Sequence, residues 1–220
     1  MSILTATDVI YEYRNAYQTV RAVNGVSCEL EQGRVYAIVG SAGSGKTTFR
    51  SLLAGLDVPT SGTIAQDGQS TAEIDRDEYR LNHVSVIYQN FNLFQHLTVL
   101  ENAAYPLYVR KMDGKKADSI AREKLLQVGL TEDQLGRLPN MLSGGEQQRV
   151  AIARALASGS EIILADEPTG NLDSTNSRNI VEILRDLAHD HDRCVIIVTH
   201  DPAVAEAADG VLNMKDGKLI

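Results

Sequence analysis

Apolar and polar residues alternate from 3 to 13, the two-residue period of a half-buried strand, and a second short run at 26–30 reads the same way. After the turn "EQG" at 31–33, "RVYAIV" at 34–39 is a continuous apolar run typical of a buried strand. Asp67-Gly68, between "GTIAQ" and "QST", is a hairpin signal, and "HVSVIYQ" at 83–89 predicts another strand. The pattern then turns helical. "TVLE" at 98–101 and "TEDQ" at 131–134 fit a capping box, and 116–128 repeats apolar residues at Ala117, Ile120, Ala121, Leu125 and Val128 before Gly129 stops the helix. Beyond 156 strands and helices alternate again: "EIILAD", a helix over about 176–189, "CVIIVTH", and a helix opened by Asp201-Pro202. "MKDGKLI" closes the chain as a hairpin. Buried strands alternating with helices predict an α/β fold, a largely parallel sheet covered on both faces, into which an all-helical block at roughly 90–156 is inserted. No repeat or linker divides the 220 residues, so one continuous domain is expected.

Composition narrows the classes. Hydrophobic residues make up 43% and charged ones 23%, ordinary for a globular chain, and the net charge of -8 argues against a nucleic-acid-coating surface. The basic cluster Arg110, Lys111, Lys115 and Lys116 reads as a solvated corner. Cys28 and Cys194 stand far apart beside apolar residues, which predicts small buried hydrophobes in a reducing compartment. Asp8, Glu12 and Arg14 break any early apolar stretch, so no signal peptide is expected. The longest apolar runs fall far short of the ~20 residues of a membrane helix. A soluble, cytoplasmic chain is expected; if it works at a membrane, another chain crosses it.

Residues 40–47 match G-x-x-x-x-G-K-[ST] in full, after a predicted strand and before a predicted helix. Gly43 and Gly45 let backbone amides point at phosphate oxygens, and the helix starting near Lys46 adds the positive end of its dipole. Lys46 supplies a point charge at the β- and γ-phosphates, and Thr47 offers a hydroxyl to Mg2+. The nucleotide-contacting stretch is therefore Gly40, Ser41, Ala42, Gly43, Ser44, Gly45, Lys46, Thr47 and Thr48. "EIILADE" delivers Asp166 to a strand end, where it can hold Mg2+ through water, with Glu167 beside it to polarise an attacking water. His200, ending "CVIIVTH", can reach a γ-phosphate. Taken alone, such a histidine is more often a helix-capping or packing residue, and Gln89 alone is ambiguous in the same way.

A second stretch, "LSGGEQQRVAIARAL" at 142–156, carries a capping box in Ser143 and Glu146. Gly144 and Gly145 sit in its first turn, where glycine is a poor helix former. An anion approaching the helix end, which requires bare amides, explains them. One way to use both devices is to share them: one molecule's loop holds the nucleotide and another's capped helix closes over it.

With these motifs in hand, the sequence resembles the nucleotide-binding subunit of ABC transporters over essentially its whole length. "LSGGEQQRVAIARAL" is similar to that family's signature motif, and "ILADEPTGNLD" to its second nucleotide motif running into the D-loop. "GLDVPTSGTI", "LADEPTGNLD" and an end soon after "DGKLI" resemble the branch of macrolide exporters, lipoprotein-release and cell-division ATPases, with haem and antimicrobial-peptide exporters. The resemblance implies a phosphate-loop ATPase core over 1–89 and 157–220 with a mainly parallel sheet, an N-terminal antiparallel β-portion, and an α-helical subdomain over 90–156. It implies ATP and Mg2+ as cofactors, and a head-to-tail homodimer driving an integral-membrane permease from the cytoplasmic face of the cell membrane. No nucleic acid is expected as a partner. It also implies roles: Tyr13 stacking on adenine, with Tyr11 and Tyr17 as alternatives; Gln89 sensing Mg2+ and the water; Glu167 as general base; Asp173 in the D-loop; His200 as the switch histidine; 143–146 reading the γ-phosphate. "GSAGSGKTT" departs from the Pro-Ser of many relatives at its second and third positions, side chains the amide cradle does not need. The implied activity is ATP hydrolysis powering export of a hydrophobic or amphipathic substrate; a regulatory ATPase that signals through a membrane partner without transport shares every motif. The segment after Gln89, "NFNLFQHLTVLENAAY", is expected to expose Phe91 and Leu93 as the permease-docking surface.

Overall fold

Two sheets share one buried layer between them. The computed structural model describes residues 2–15 and 17–220. Its first sheet is antiparallel, built from β1 (Ser2–Arg14), β2 (Thr19–Glu31), β4 (Ser61–Gln66) and β5 (Gln69–Ser70) in the order β2-β1-β4-β5. The second has six strands: β3 (Val35–Val39), β6 (Val84–Ile87), β7 (Ile162–Asp166), β8 (Cys194–Thr199), β9 (Gly210–Lys215) and β10 (Lys218–Leu219). Their order is β10-β9-β3-β8-β7-β6, and all pairs are parallel except the closing β9–β10 hairpin.

The reason β7 and β8 read as unbroken apolar runs is visible in their packing. Along β8, Val195 and Ile197 face one hydrophobic cluster while Cys194, Ile196 and Val198 face another. Along β7, Ile163 and Ala165 divide from Ile162 and Leu164 in the same way. A strand covered on both faces has no polar side to show. One cluster joins the sheet to α1 (Lys46–Leu53) and to β1 and β2 through Leu4, Val9, Val26, Phe49 and Leu52. The other joins it to α5 (Gly144–Ala157) and α6 (Ser174–His189), and reaches α3 (Val99–Val109) and α4 (Gly114–Gln127).

In α4 the buried residues are Ala117, Ala121 and Leu125, the four-residue stripe expected of one helix face, and Ile120 packs partly against it. The "TEDQ" box closes only a single 3-10 turn, Glu132–Gln134, although its reciprocal side-chain bonds are both made. β2 runs seven residues earlier than its apolar run suggests, because residues 19–25 pair with β1 across register shifts that break the alternation. Helix α2 (Arg76–Asn82) was not foreseen, although Asp75 caps it and Glu78 follows at the third position. It carries the fully buried Tyr79, whose hydroxyl donates to the Leu53 carbonyl at 3.0 Å. A last short helix, α7 (Pro202–Glu206), opens at the expected Asp201-Pro202.

Both cysteines are free, Cys194 buried and Cys28 half-buried, and burial pushes their thiols up to about 12 and about 11 respectively. Arg110 departs from the solvated corner predicted for its cluster. Its guanidinium clamps the carbonyls of Ser158 and Leu81, while Lys111, Lys115 and Lys116 stay exposed.

Candidate functional site

Strand β3 ends at the loop 40–45, and α1 begins at Lys46. Gly45 has φ 102°, and a Cβ there would lie 2.2 Å from the Ala22 carbonyl oxygen, so both conformation and space demand glycine. Lys46 Nζ donates back to the carbonyls of Gly40 at 2.8 Å and Ser41 at 3.0 Å. Ser44 is buried with no hydrogen-bond partner for its hydroxyl. The decisive feature is at the helix end. Among the described α-helices, α1 alone lacks a side-chain cap; the others are closed by Asp75, Thr98, Asp113, Ser143, Asp173 and Asp201. Its first amides and dipole are left for an external anion.

That end opens on a cavity of 340 Å3 lined by Ala42, Gly43, Gly45, Lys46, Thr47, Thr48, Asp166 and Glu167. Asp166 stands at the end of β7; burial raises its carboxyl above the ordinary range and Glu167 adds to this, against the pull of Arg50 and Lys46. Glu167 sits at φ 46°, a strained conformation for a non-glycine residue, held by its amide's bond to the Val198 carbonyl at 2.8 Å. One carboxylate oxygen lies 2.7 Å from His200 Nδ1, and the other accepts from Thr199 at 3.4 Å. Thr47 and Asp166 place two hard oxygen donors on one wall. The described residues hold no group of three or more His, Cys, Asp or Glu able to bind a metal. A divalent ion here would draw its remaining oxygens from phosphate and water, which suits Mg2+.

Tyr13 comes to this site: its hydroxyl is 3.3 Å from Thr48 Oγ1 and its ring is 53% exposed. Tyr11 turns away to donate to Asp57, and Tyr17 is 97% exposed with no ring partner among the described residues. Gln89 does not line the cavity. Its amide packs against Gly170, and its carbonyl accepts from Asn171 at 3.0 Å.

Ser143, Gly144, Gly145, Glu146 and Asp173 do not line it either. Within the chain, Ser143 and Glu146 cap each other: Ser143 N donates to Glu146 Oε2 at 2.7 Å and Glu146 N to Ser143 Oγ at 3.4 Å. These bonds to Ser143 hold Glu146 below the ordinary glutamate range. Asp173 caps α6, accepting from the amides of Thr175 and Asn176, and is held low by the same bonds. Gly145 also has a packing reason the sequence did not show, since a Cβ would meet Asn176 Oδ1 at 2.7 Å.

The docking expectation needs correcting. Leu93 is only 8% exposed and belongs to the core, with Phe91 packed against it, whereas Phe94 is 43% exposed and packs against Tyr105 with ring centroids 4.4 Å apart and planes tilted by 42°. The buried Asn102 causes this. Its amide binds the carbonyls of Phe94, Leu97 and Thr98, pinning the loop so that Leu93 points in and Phe94 out. Phe94, Tyr105, Tyr88, Arg80 and Arg154 line a groove of 350 Å3.

A profile of the ABC transporter family matches residues 23–170. The uncharacterized ABC transporter ATP-binding protein YclH of Bacillus subtilis (strain 168) is 40% identical over 219 residues, covering 100% of this chain and 96% of that protein. The macrolide export ATP-binding/permease protein MacB of Salmonella typhi is 40% identical over 222 residues; the chain spans only 34% of its length. Among solved structures, the dimeric ABC transporter cassette MJ0796 superposes with a TM-score of 0.90 at 36% identity, covering 98% of this chain and 96% of that one. The same cassette is known as a dimer in a post-hydrolysis state bound to ADP and Pi.

Proposed function

The chain belongs to the ABC transporter family as one of its ATPases, and on that premise we propose that it works as the ATP-hydrolysing subunit of a membrane exporter. The observation that carries the reading is the uncapped end of α1, opening on a cavity shared by Lys46, Thr47, Asp166 and Glu167. Residues 1–220 form one nucleotide-binding domain, with 1–89 and 157–220 as its catalytic core and 90–156 as a helical subdomain.

ATP places its phosphates on the amides of 40–48 and on Lys46, and its adenine against Tyr13. Thr47 and Asp166 would hold Mg2+, with Gln89 as a further ligand reaching in from outside the cavity, and the ion would supply neutralising charge at the phosphates. Glu167 takes the proton of the attacking water, and His200 holds that carboxylate in place at 2.7 Å. Ser143, Gly144, Gly145 and Glu146 face the γ-phosphate of a second copy, beside Asp173. Two facts support sharing: among the described residues, none of α5 lines the phosphate-loop cavity, and the similar cassette MJ0796 is a dimer.

The groove lined by Phe94 and Tyr105 receives the permease, which holds the chain at the cytoplasmic face of the membrane. No helix of the described residues is long and apolar enough to cross one. The export of a hydrophobic or amphipathic substrate rests on the macrolide export proteins that the chain resembles.

Mixing tests the shared site. Lys46→Ala removes the loop's charge, and Ser143→Arg blocks the helix end. In a Glu167→Gln background each alone should stay monomeric with ATP. A mixed pair has one site built from two undamaged halves, so heterodimers should appear by size-exclusion chromatography. No heterodimer, under conditions that dimerise the Glu167→Gln parent, would remove the shared-site reading.

A further inference from the structure

The fifth residue of α1 is an arginine turned inward. Arg50 is 5% exposed, in a helix whose other buried residues, Phe49, Leu52 and Leu53, are apolar. A buried guanidinium is costly unless charge and hydrogen bonds compensate it. Its ion-pair partner is Asp166, with Nη2 3.6 Å from Oδ2, well beyond the roughly 2.7–2.9 Å of a charge-assisted hydrogen bond. On its other side Cζ lies 5.5 Å from the centroid of the Tyr88 ring, within cation–π reach. Nη2 also lies 3.5 Å from Ser51 Oγ, while Nε and Nη1 have no hydrogen-bond partner. An apolar side chain would fill this position without leaving buried donors unmatched, so packing alone does not account for the residue. The loose pairing has a use of its own. At 3.6 Å the cation attracts the Asp166 carboxylate without occupying its lone pairs, which stay available towards the cavity that Asp166 lines.

We propose that Arg50 is a positioning residue: braced by Tyr88, it holds the Asp166 carboxylate in place for the divalent ion and ties that carboxylate to the groove Tyr88 lines. This rests on Asp166 being the metal-side carboxylate. Tyr88 immediately precedes Gln89 and shares the groove with Phe94 and Tyr105, so a ligand that shifts the ring also shifts the brace behind Asp166. Arg50 itself does not line the phosphate cavity.

The test is the affinity for a fluorescent ATP analogue, measured with Mg2+ and again in EDTA; their ratio is the metal-linked part of binding. Arg50→Met should lower that ratio about ten-fold, the usual cost of losing a partner behind a metal ligand, with the EDTA affinity unchanged. Arg50→Lys should recover part of it. Tyr88→Leu should lower the ratio by less, and adding it to Arg50→Met should cost nothing further, because the brace is already gone. A ratio unmoved in Arg50→Met, or equal shifts with and without metal, overturns the proposal in favour of packing. A ratio that rises overturns it too, since Arg50 would then be competing with the ion. Should Arg50→Met melt below the assay temperature, Tyr88→Leu and Arg50→Lys decide: a ratio unchanged in Tyr88→Leu refutes the brace. Asp166→Asn separates the two levels. If it keeps the full ratio, the reading of Asp166 fails and the proposal falls with it; if it lowers the ratio and Arg50→Met does not, the proposal alone falls.

Discussion

Helices α1 and α5 both begin beside glycines, and their first turns are finished differently. At α1 the cap is Gly45, in a left-handed conformation, with no side chain over the free amides. At α5 Ser143 and Glu146 satisfy each other's backbone before anything else arrives. An uncapped helix end needs an external partner, whereas a capped one is complete as it stands and offers only the amides its cap leaves over. The two ends therefore differ in what they contribute to a single chain. The first can take an anion by itself; the second holds its shape without one.

The largest expected effect separates them. Lys46→Ala should weaken ATP binding by the isolated chain about 10–100-fold, the value of a charged hydrogen bond. Ser143→Arg should leave that binding within about two-fold of the parent, yet lower turnover by on the order of 10² or more, as expected when donors to a developing charge are lost. Equilibrium binding and steady-state phosphate release measure both. If Ser143→Arg weakens binding by the lone chain as much as Lys46→Ala does, the two ends serve one chain and the contrast collapses.

The glycines give a second, smaller effect. Gly45→Ala forces a side chain into the left-handed conformation at φ 102° and to within 2.2 Å of the Ala22 carbonyl oxygen, and neither backbone can yield cheaply. It should destabilise the fold by about 1–3 kcal/mol with no side-chain rescue. Gly145→Ala collides instead with the Asn176 side chain at 2.7 Å, which can be shortened. Thermal melts should show Gly145→Ala destabilised and Gly145→Ala/Asn176→Ser returning to within about 0.5 kcal/mol of Asn176→Ser alone, because neighbours in contact are not additive. Failure of that rescue would mean Gly145 is required for something other than the approach of α6.

Much of this contrast was legible in the sequence, and the illegible part has a consistent cause. The phosphate loop declares itself because its chemistry is local: eight consecutive residues between a strand and a helix. The boxes at 98–101 and 143–146 are local in the same sense, and their reciprocal bonds are formed. What the sequence hides depends on partners distant along the chain. The packing role of Gly145 was hidden because Asn176, thirty-one residues on, cannot be seen beside it. Leu93 points in and Phe94 out because Asn102 anchors their loop. Arg50 lay inside a helix with an apolar stripe, and only the fold brings Tyr88 and Asp166 around it. The strand β2 was shortened for a related reason: its register shifts are set by the partner strand.

The smallest expected effect bears on how complete the α5 cap is. Replacing a serine cap by alanine costs about 1 kcal/mol, so Ser143→Ala should lower the melting temperature by only a few degrees for a chain of this size. The Glu146 half of the box should carry a pH signature. Its carboxyl is depressed in the folded chain, first by the Ser143 amide and then by the Ser143 hydroxyl. A depressed carboxyl binds its proton more weakly folded than unfolded, so its contribution is fully present above the unfolded pKa of about 4.3 and is lost as the pH falls through the folded value. The difference in melting temperature between the parent and Glu146→Gln should therefore be constant near neutrality and shrink as the pH drops below about 4. Glutamine can still accept from the Ser143 amide, which keeps the neutral-pH gap small and makes its closing with acid the useful observation. A gap that stayed constant into acid would show that Glu146 gains nothing from its charge at the cap. The α5 end would then be held by Ser143 alone, and half of the distinction drawn between the two helices would go with it.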